Sequence, residues 1–425
     1  MPINDEHQEI EVQKYSRKGL IIRAIFFVIA LTVAVVSFAR AINSCSEKKP
    51  GYYKIELKED EEAPFYGAGV KFEYYLDGES SEIKIALKNL KNVYSLALKQ
   101  AYILVDAENT YEVYKNLALV NQNIGQEVEL HPLLYPLLKE AYELTLLREN
   151  YNLFANILID RWEGILLAAD DERDPLINLE EAAFLEEIAS YVDDLTNFSL
   201  LFDDENKSVT FNTSLAFKNF YETEGLDCAI LDFNSLNEAF KIKLLCNNLK
   251  EQGYTKGFVE TADGLVINLG TDSTCFYAIS NKLDSQTYES PVMSVSSEKY
   301  KLLSRSRVYS VKQEDYYRVI NHEEKNYYRH LKIDVKSGKI NNIINTVNLF
   351  ATDFDIVQLR FFNLTIYGFN TIDGINNQVK KIEDENPQLS LAYTLQGDDK
   401  DIYIYKGEFT VLEDSGYNPK YLLAD

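Results

Sequence analysis

Apolar positions are continuous near the start of the chain, helically spaced through its first half, and mixed in period through its second. The continuous run is GLIIRAIFFVIALTVAVVSFARAI, residues 19–42, with Arg23 inside it and Arg40 near its end. An apolar helix needs ~20 residues to cross a bilayer, so this run predicts a transmembrane anchor. Lys14, Arg17, Lys18 and Arg23 cluster at its start while the chain beyond it is acidic. That asymmetry places residues 1–18 in the cytoplasm as a tail and the rest of the chain outside the cell membrane. Cys45 in AINSC offers an alternative, a cleaved signal followed by an acylated lipoprotein cysteine. Arg40 and bulky Asn43 fit a processing site poorly, so an uncleaved anchor is the expectation.

Residues 43–64 are charged and rich in turn formers, which reads as a linker. VKFEYYL then predicts a strand, and Ile83, Leu87, Leu90, Leu98 and Ala101 recur on one face of a helix. HPLLYPLLKEAYELTLL repeats that helical spacing. Residues 170–208 are dense in Asp and Glu and predict an exposed helix with acidic loops; no calcium-loop spacing is present. From Val209 strands and helices mix, with SVTFN, CAILDF, GFVET, LVINLG, CFYAIS, RVYSV, HLKIDV and DIYIYKGEFTVL as the strand-like pieces. The order predicts an α+β mixed sheet-and-helix domain over residues 65–425. CAILDF is followed by Asn-Ser and a helix, EAFKIKLLCNNLKEQG, and such a junction can hold a phosphate on helix N-terminal amides. The same residues also read as a capping box, with Ser235 and Glu238 satisfying those amides.

With 425 residues, 46% apolar and only 9 prolines, the chain can bury a sizeable core. Its net charge of −24 works against binding nucleic acid through phosphate neutralisation. The four cysteines, Cys45, Cys228, Cys246 and Cys275, form no CxxC pair, and Cys228 and Cys246 read as small buried hydrophobes. The histidines are His7, His131, His322 and His330, with no GxSxG nucleophile to accompany them. FYGAGVKF lacks the third glycine of a dinucleotide fingerprint. Asp334, in a KSG turn, reads as a turn acceptor or a catalytic carboxylate, and Asp353 and Asp355 read as a metal pair or as helix caps.

In order and spacing these pieces resemble the ApbE family, FAD:protein FMN transferases that attach FMN to threonine or serine of extracytoplasmic flavoproteins using magnesium. LDFNSLNEAF is similar to the family's LDLGGIAKGY, GYTKGFVETADG to GVENALVNLGGD, HLKIDVKSGK to HHIIDPRTGY, and ATDFDIVQLRFFNLTIYGF to APSAMLADALATALFVLG. RENYNLFANILIDRW matches DGAFDPTVGPLVNLW in length, with Tyr151 and Trp162 on aromatic positions. The resemblance spans Phe65 to Glu413. It implies a flavin site and a magnesium site, and then departs from both. Gln358 and Phe362 stand where the family carries its metal-binding Asp and Thr. Asn234, Ser235 and Ala239 replace glycines, Glu238 replaces a lysine, and Leu331 replaces the second histidine. His330 and Asp334 are kept as catalytic candidates, Glu260 and Asp263 as cofactor-binding candidates, and Asp355 as the substitute metal ligand. The expectation is a degenerate ApbE-like protein without transfer activity, a binding or assembly component whose partner is an extracytoplasmic flavoprotein or envelope protein. The alternative is an active transferase with FAD and magnesium in a site rebuilt around Asp263, Asp355 and His330.

Overall fold

The computed structural model describes residues 27–28, 31–32, 47–168, 170–270, 276–283, 286–296, 300–307, 317–396, 400–407, 410–411 and 416–422. The expected tail, nearly all of the expected anchor over 19–42, and Cys45 lie outside the described residues. Among those described, no helix is long and apolar enough to cross a membrane.

Two compact units are present: residues 1–51 with 77–86, and residues 52–76 with 87–425. In the first, the Lys48 amide donates to Ser80 Oγ at 2.9 Å and the Glu79 amide to the Glu82 carboxylate at 2.9 Å. The second holds the sheets and the site.

The strands in chain order are β1 (Gly51–Lys54), β2 (Val70–Leu76), β3 (Glu127–Glu129), β4 (Phe198–Asp203), β5 (Ser208–Thr213), β6 (Gly257–Thr261), β7 (Leu265–Asn268), β8 (Phe276–Leu283) and β9 (Gln286–Ser296). They continue with β10 (Leu302–Arg307), β11 (Tyr317–His322), β12 (Lys325–His330), β13 (Ile344–Ala351), β14 (Ser390–Leu395), β15 (Asp401–Lys406), β16 (Thr410–Val411) and β17 (Asn418–Tyr421). The helices are α1 (Ser80–Val105), α2 (Leu117–Gln122), α3 (Leu134–Leu146), α4 (Asn156–Ala168), α5 (Leu179–Asp193), α6 (Leu215–Thr223), α7 (Asn237–Glu251), α8 (Ile356–Ile366) and α9 (Ile372–Glu385). One sheet runs β1-β2-β6-β7-β10-β13-β14-β15-β17, and β17 joins β15 in parallel. This is the α+β arrangement that the mixed periodicities predict.

β13 explains how the sheet is covered on both sides. Successive side chains of a strand point to opposite faces. Val347, Leu349 and Ala351 enter a core with Leu359 and Ile366 of α8 and Val379 of α9, whereas Phe350 enters another with Leu303 and Ile404. Every residue of β13 is buried, so the helices must cover one face continuously. α8 is thereby pinned against β10 and β13 with its side chains reaching the β6–β7 turn.

Part of the expected linker over 43–64 is ordered by contacts with the rest of the chain. Residues 51–54 are strand β1, the Ile55 amide donates to Phe72 O at 2.8 Å, and Lys99 holds Asp60 and Glu62 at 2.8 Å each. These bonds tie the segment down.

The run Cys228–Phe233, expected as a strand, is a bent loop without ladder partners. Polar side chains take over its backbone groups instead. Glu108 Oε1 accepts from the Ala229 amide at 2.9 Å, Asn121 bonds both the amide and the carbonyl of Leu231 at 2.9 and 2.8 Å, and Asn156 donates to Ala229 O at 2.7 Å. The Tyr221 hydroxyl donates to Cys228 O at 2.6 Å. Buried backbone groups must be paired by something, and here side chains from other elements do it. Periodicity is blind to such distant partners.

Candidate functional site

The junction at residues 231–240 decides what this fold can hold. The capping box is not formed: α7 begins at Asn237 with no side-chain cap, and Glu238 instead pairs with Lys241 one turn on. Asn234 is the reason. It sits at φ 52°, in the left-handed region that glycine enters at no cost and asparagine tolerates better than most residues. Its Nδ2 donates to Asn152 O and Asp232 O, both at 2.9 Å, while the Asp232 carboxylate accepts from the Asn234 amide. The chain then makes a 3₁₀ turn, Asn234–Leu236, in which the Leu236 amide bonds Phe233 O at 3.0 Å and the Asn237 amide bonds Asn234 O. Two amides that a phosphate would use are therefore spent within the turn. The junction is self-satisfied, by backbone and by Asn234, not by Ser235 and Glu238.

Beside it lies a void of about 20 Å³. Tyr151, Asn234, Ser235, Lys332 and Leu364 are among its walls. That volume is close to one water molecule. A pocket for a metabolite runs to ~300–1,000 Å³. The Tyr151 hydroxyl and Asn234 Oδ1 are buried there without a hydrogen-bond partner among the described residues.

The next shell is charged. Arg360 of α8 is 1% exposed, donating to Asp263 Oδ2 at 2.6 Å, to Asp263 O at 3.2 Å and to Arg305 O at 2.9 Å. The Thr261 hydroxyl donates to the same Asp263 carboxylate. The turn is fixed by Gly264 at φ 102°, where a Cβ would come within 2.3 Å of Arg305 O. Burial alone would raise the Asp263 carboxyl, but the Arg360 guanidinium and the Thr261 hydroxyl hold it below the usual carboxylate range. Lys332 has no side-chain hydrogen bond or ion pair among the described residues. Burial, with Arg360 nearby, pulls its ammonium down to about 7 against the pull of Asp263 and Glu163. Burial pushes Asp232 up to about 6 and raises Glu238 and Glu163 as well. A collection of half-buried charges around the buried Arg360 thus stands where the resemblance places a phosphate-bearing cofactor.

The residues singled out in the sequence are scattered around this cluster. Asp263 belongs to it. Glu260 does not: it pairs across strands with Lys71 at 3.5 Å, both about half exposed, an ion pair of little energetic weight. Asp355 caps α8, accepting from the Val357 amide at 2.8 Å and the Gln358 amide at 3.1 Å, and its other oxygen meets Lys243 at 2.7 Å. Gln358 is exposed, and Phe362 packs against Phe354 and Phe361. Asp334 accepts from the Lys336 amide at 3.2 Å and from the Ser337 hydroxyl, closing its turn. Among the described residues no group of three His, Cys, Asp or Glu side chains could hold a metal ion. FAD does not fit the void, and both Asp355 oxygens already have partners, so the residues present match neither the flavin nor the magnesium ion.

His330 is fully buried, and both ring nitrogens are engaged. Nε2 lies 2.7 Å from Asn341 O and Nδ1 lies 3.1 Å from the Lys332 amide. A carbonyl only accepts and an amide only donates, so the neutral ring protonated on Nε2 satisfies both. Burial lowers its pKa to about 3, with the Asn341 carbonyl opposing. The Trp162 indole donates to His330 O at 2.8 Å, so this histidine joins α4, β12 and the Asn341 loop. It has no nitrogen left for proton transfer. Because its folded pKa lies below the unfolded value of about 6.5, its contribution to stability is complete above pH 6.5 and is lost as pH falls toward 3. The difference in unfolding free energy between wild type and His330→Gln is expected to shrink by about 1.4 kcal/mol per pH unit from pH 6 to 5. Urea unfolding at stepped pH measures it, and a constant difference would refute the assignment.

Arg360 and Lys332 escaped the sequence reading. The signal was present, since IVQLRFFNLTI places one arginine inside an apolar helix and such a charge needs a buried partner.

The architecture built around these residues is that of ApbE proteins. The crystal structure of the ApbE protein from Thermotoga maritima superposes with a TM-score of 0.54 at 15% identity, covering 81% of this chain and 94% of that one. The flavin transferase ApbE from Vibrio cholerae superposes at 0.50 with 11% identity, covering 81% and 94%. No family model matches the sequence, and no curated protein matches it either. The chain has an ApbE-like fold, strongly diverged in sequence.

Proposed function

We propose that this chain is a membrane-tethered, outward-facing ApbE-like protein that has lost metal-dependent FMN transfer and acts as a binding or assembly component in flavoprotein biogenesis. The observation that carries the reading is the filled junction: a void of about 20 Å³, walled by Asn234, Ser235 and Lys332, in place of a cofactor pocket. Glu238 next to it adds negative charge where a pyrophosphate needs a positive field. Asp355, three residues before Gln358, is committed to its helix cap and to Lys243. The 19–42 run supports the tether, and the similarity to structures described as flavin transferases supports the link to flavoproteins.

Incubating the full chain with FAD, magnesium and an acceptor protein should leave the acceptor without covalent flavin fluorescence on a denaturing gel. Covalent FMN appearing at an ordinary catalytic rate would overturn the proposal.

A further inference from the structure

A second concavity, of about 340 Å³, lies along the later turns of α7, away from the filled junction. Its size falls at the lower end of metabolite pockets, ~300–1,000 Å³. Lys243 and Lys250 project from α7 two turns apart, and Lys301, just before β10, reaches the same cavity. Lys243 is neutralised, held by Glu140 at 2.8 Å and by Asp355 at 2.7 Å, and so forms a fixed wall. Lys250 and Lys301 differ: neither ammonium makes an ion pair or side-chain hydrogen bond among the described residues. On a chain with 67 acidic and 43 basic residues, carboxylate partners are abundant, and two unpaired lysines facing one cavity stand out. Leu302 and Phe354 give the cavity an apolar side, and Asp353, also without a partner among the described residues, stands at its edge.

We propose that this cavity binds a small phosphomonoester, its phosphate between Lys250 and Lys301 and its apolar body against Phe354 and Leu302, with Asp353 accepting a hydrogen bond from a donor on that body. Two point charges match a group carrying about −1.5 to −2 at neutral pH better than they match a monoanion. The inference does not rest on the loss of FMN transfer, because none of these side chains lies at the filled junction.

Calorimetric titration of the full chain in mild detergent with phenyl phosphate tests it, with benzoate and inorganic phosphate as comparators. Saturable one-to-one binding of phenyl phosphate is expected, at least about tenfold tighter than benzoate or phosphate alone, a difference of about 1.4 kcal/mol. The Lys250→Ala, Lys301→Ala double variant should weaken it at least about tenfold. Should that variant unfold, Lys250→Glu, at an exposed position, must weaken binding in its place. Absence of saturable binding into the millimolar range, equal affinity for benzoate or for phosphate alone, or unchanged affinity in a folded variant would each overturn the proposal.

Discussion

Replacing Arg360 by leucine is expected to lower the unfolding free energy by about 3 kcal/mol, because a buried guanidinium is lost together with its bonds to the half-buried Asp263 carboxylate and to two backbone carbonyls. Arg360 is 1% exposed and serves three acceptors on two elements, Asp263 Oδ2 and Asp263 O in the β6–β7 turn and Arg305 O on strand β10. No water can replace those bonds without opening the packing of α8 against β10. Lysine should not rescue the variant, since one ammonium cannot reproduce the planar fork that spans the β6–β7 turn and strand β10. The double change Arg360→Leu with Asp263→Leu should recover much of the loss, because it removes the stranded carboxylate. Chemical unfolding of the three variants measures this, and a single variant within about 0.5 kcal/mol of wild type would show that the pair does not brace the site.

Asp174→Ala is expected to be about as costly, on the order of 3 kcal/mol. Asp174 has no exposed surface and receives Arg329 in a two-point fork, Nε to Oδ2 at 2.7 Å and Nη2 to Oδ1 at 2.9 Å. It also accepts from the Leu176 amide at 2.9 Å and stands 3.6 Å from Arg318. Deleting it strands one guanidinium that is 3% exposed and loosens a second. The loss should appear as a lower urea midpoint with an unchanged slope. The two deletions lie in separate ion-pair networks, so their effects should add.

How legible the molecule was depends on whether a residue's partner is near in sequence. Strand β2 and helices α1 and α3 follow directly from apolar spacing, because each needs only its own residues to define a face. Residues 228–233 do not, since Glu108, Asn121 and Asn156 claim backbone groups that a strand would have offered to a neighbour. The junction after them shows the same limit on a smaller scale. Ser235 and Glu238 carry a capping-box spacing, but the left-handed Asn234, bonded back to Asn152 across 82 residues, sets a 3₁₀ turn first. At the site, resemblance drew attention to Gln358 and Phe362, while the charge that organises the cluster is Arg360, midway between them on the same helix. Its burial becomes visible only once α8 is laid on the sheet.

The filled junction also bears on the proposed loss of transfer. Glycines let a backbone approach a pyrophosphate, and a side chain at the same place keeps the conformation while occupying the space. Asn234 has a positive φ of 52°, and its amide donates to Asn152 O. Lys332, without an ion pair among the described residues, lines the void, while Glu238 is committed to Lys241 one turn along α7.

Flavin titration reads the filled junction most directly. Fluorescence quenching of FAD by the full chain, with and without magnesium, should show no saturable, metal-dependent binding in the submicromolar range. Submicromolar, magnesium-dependent FAD binding would mean that the junction opens to a cofactor, and would contradict the proposed loss of FMN transfer at its root.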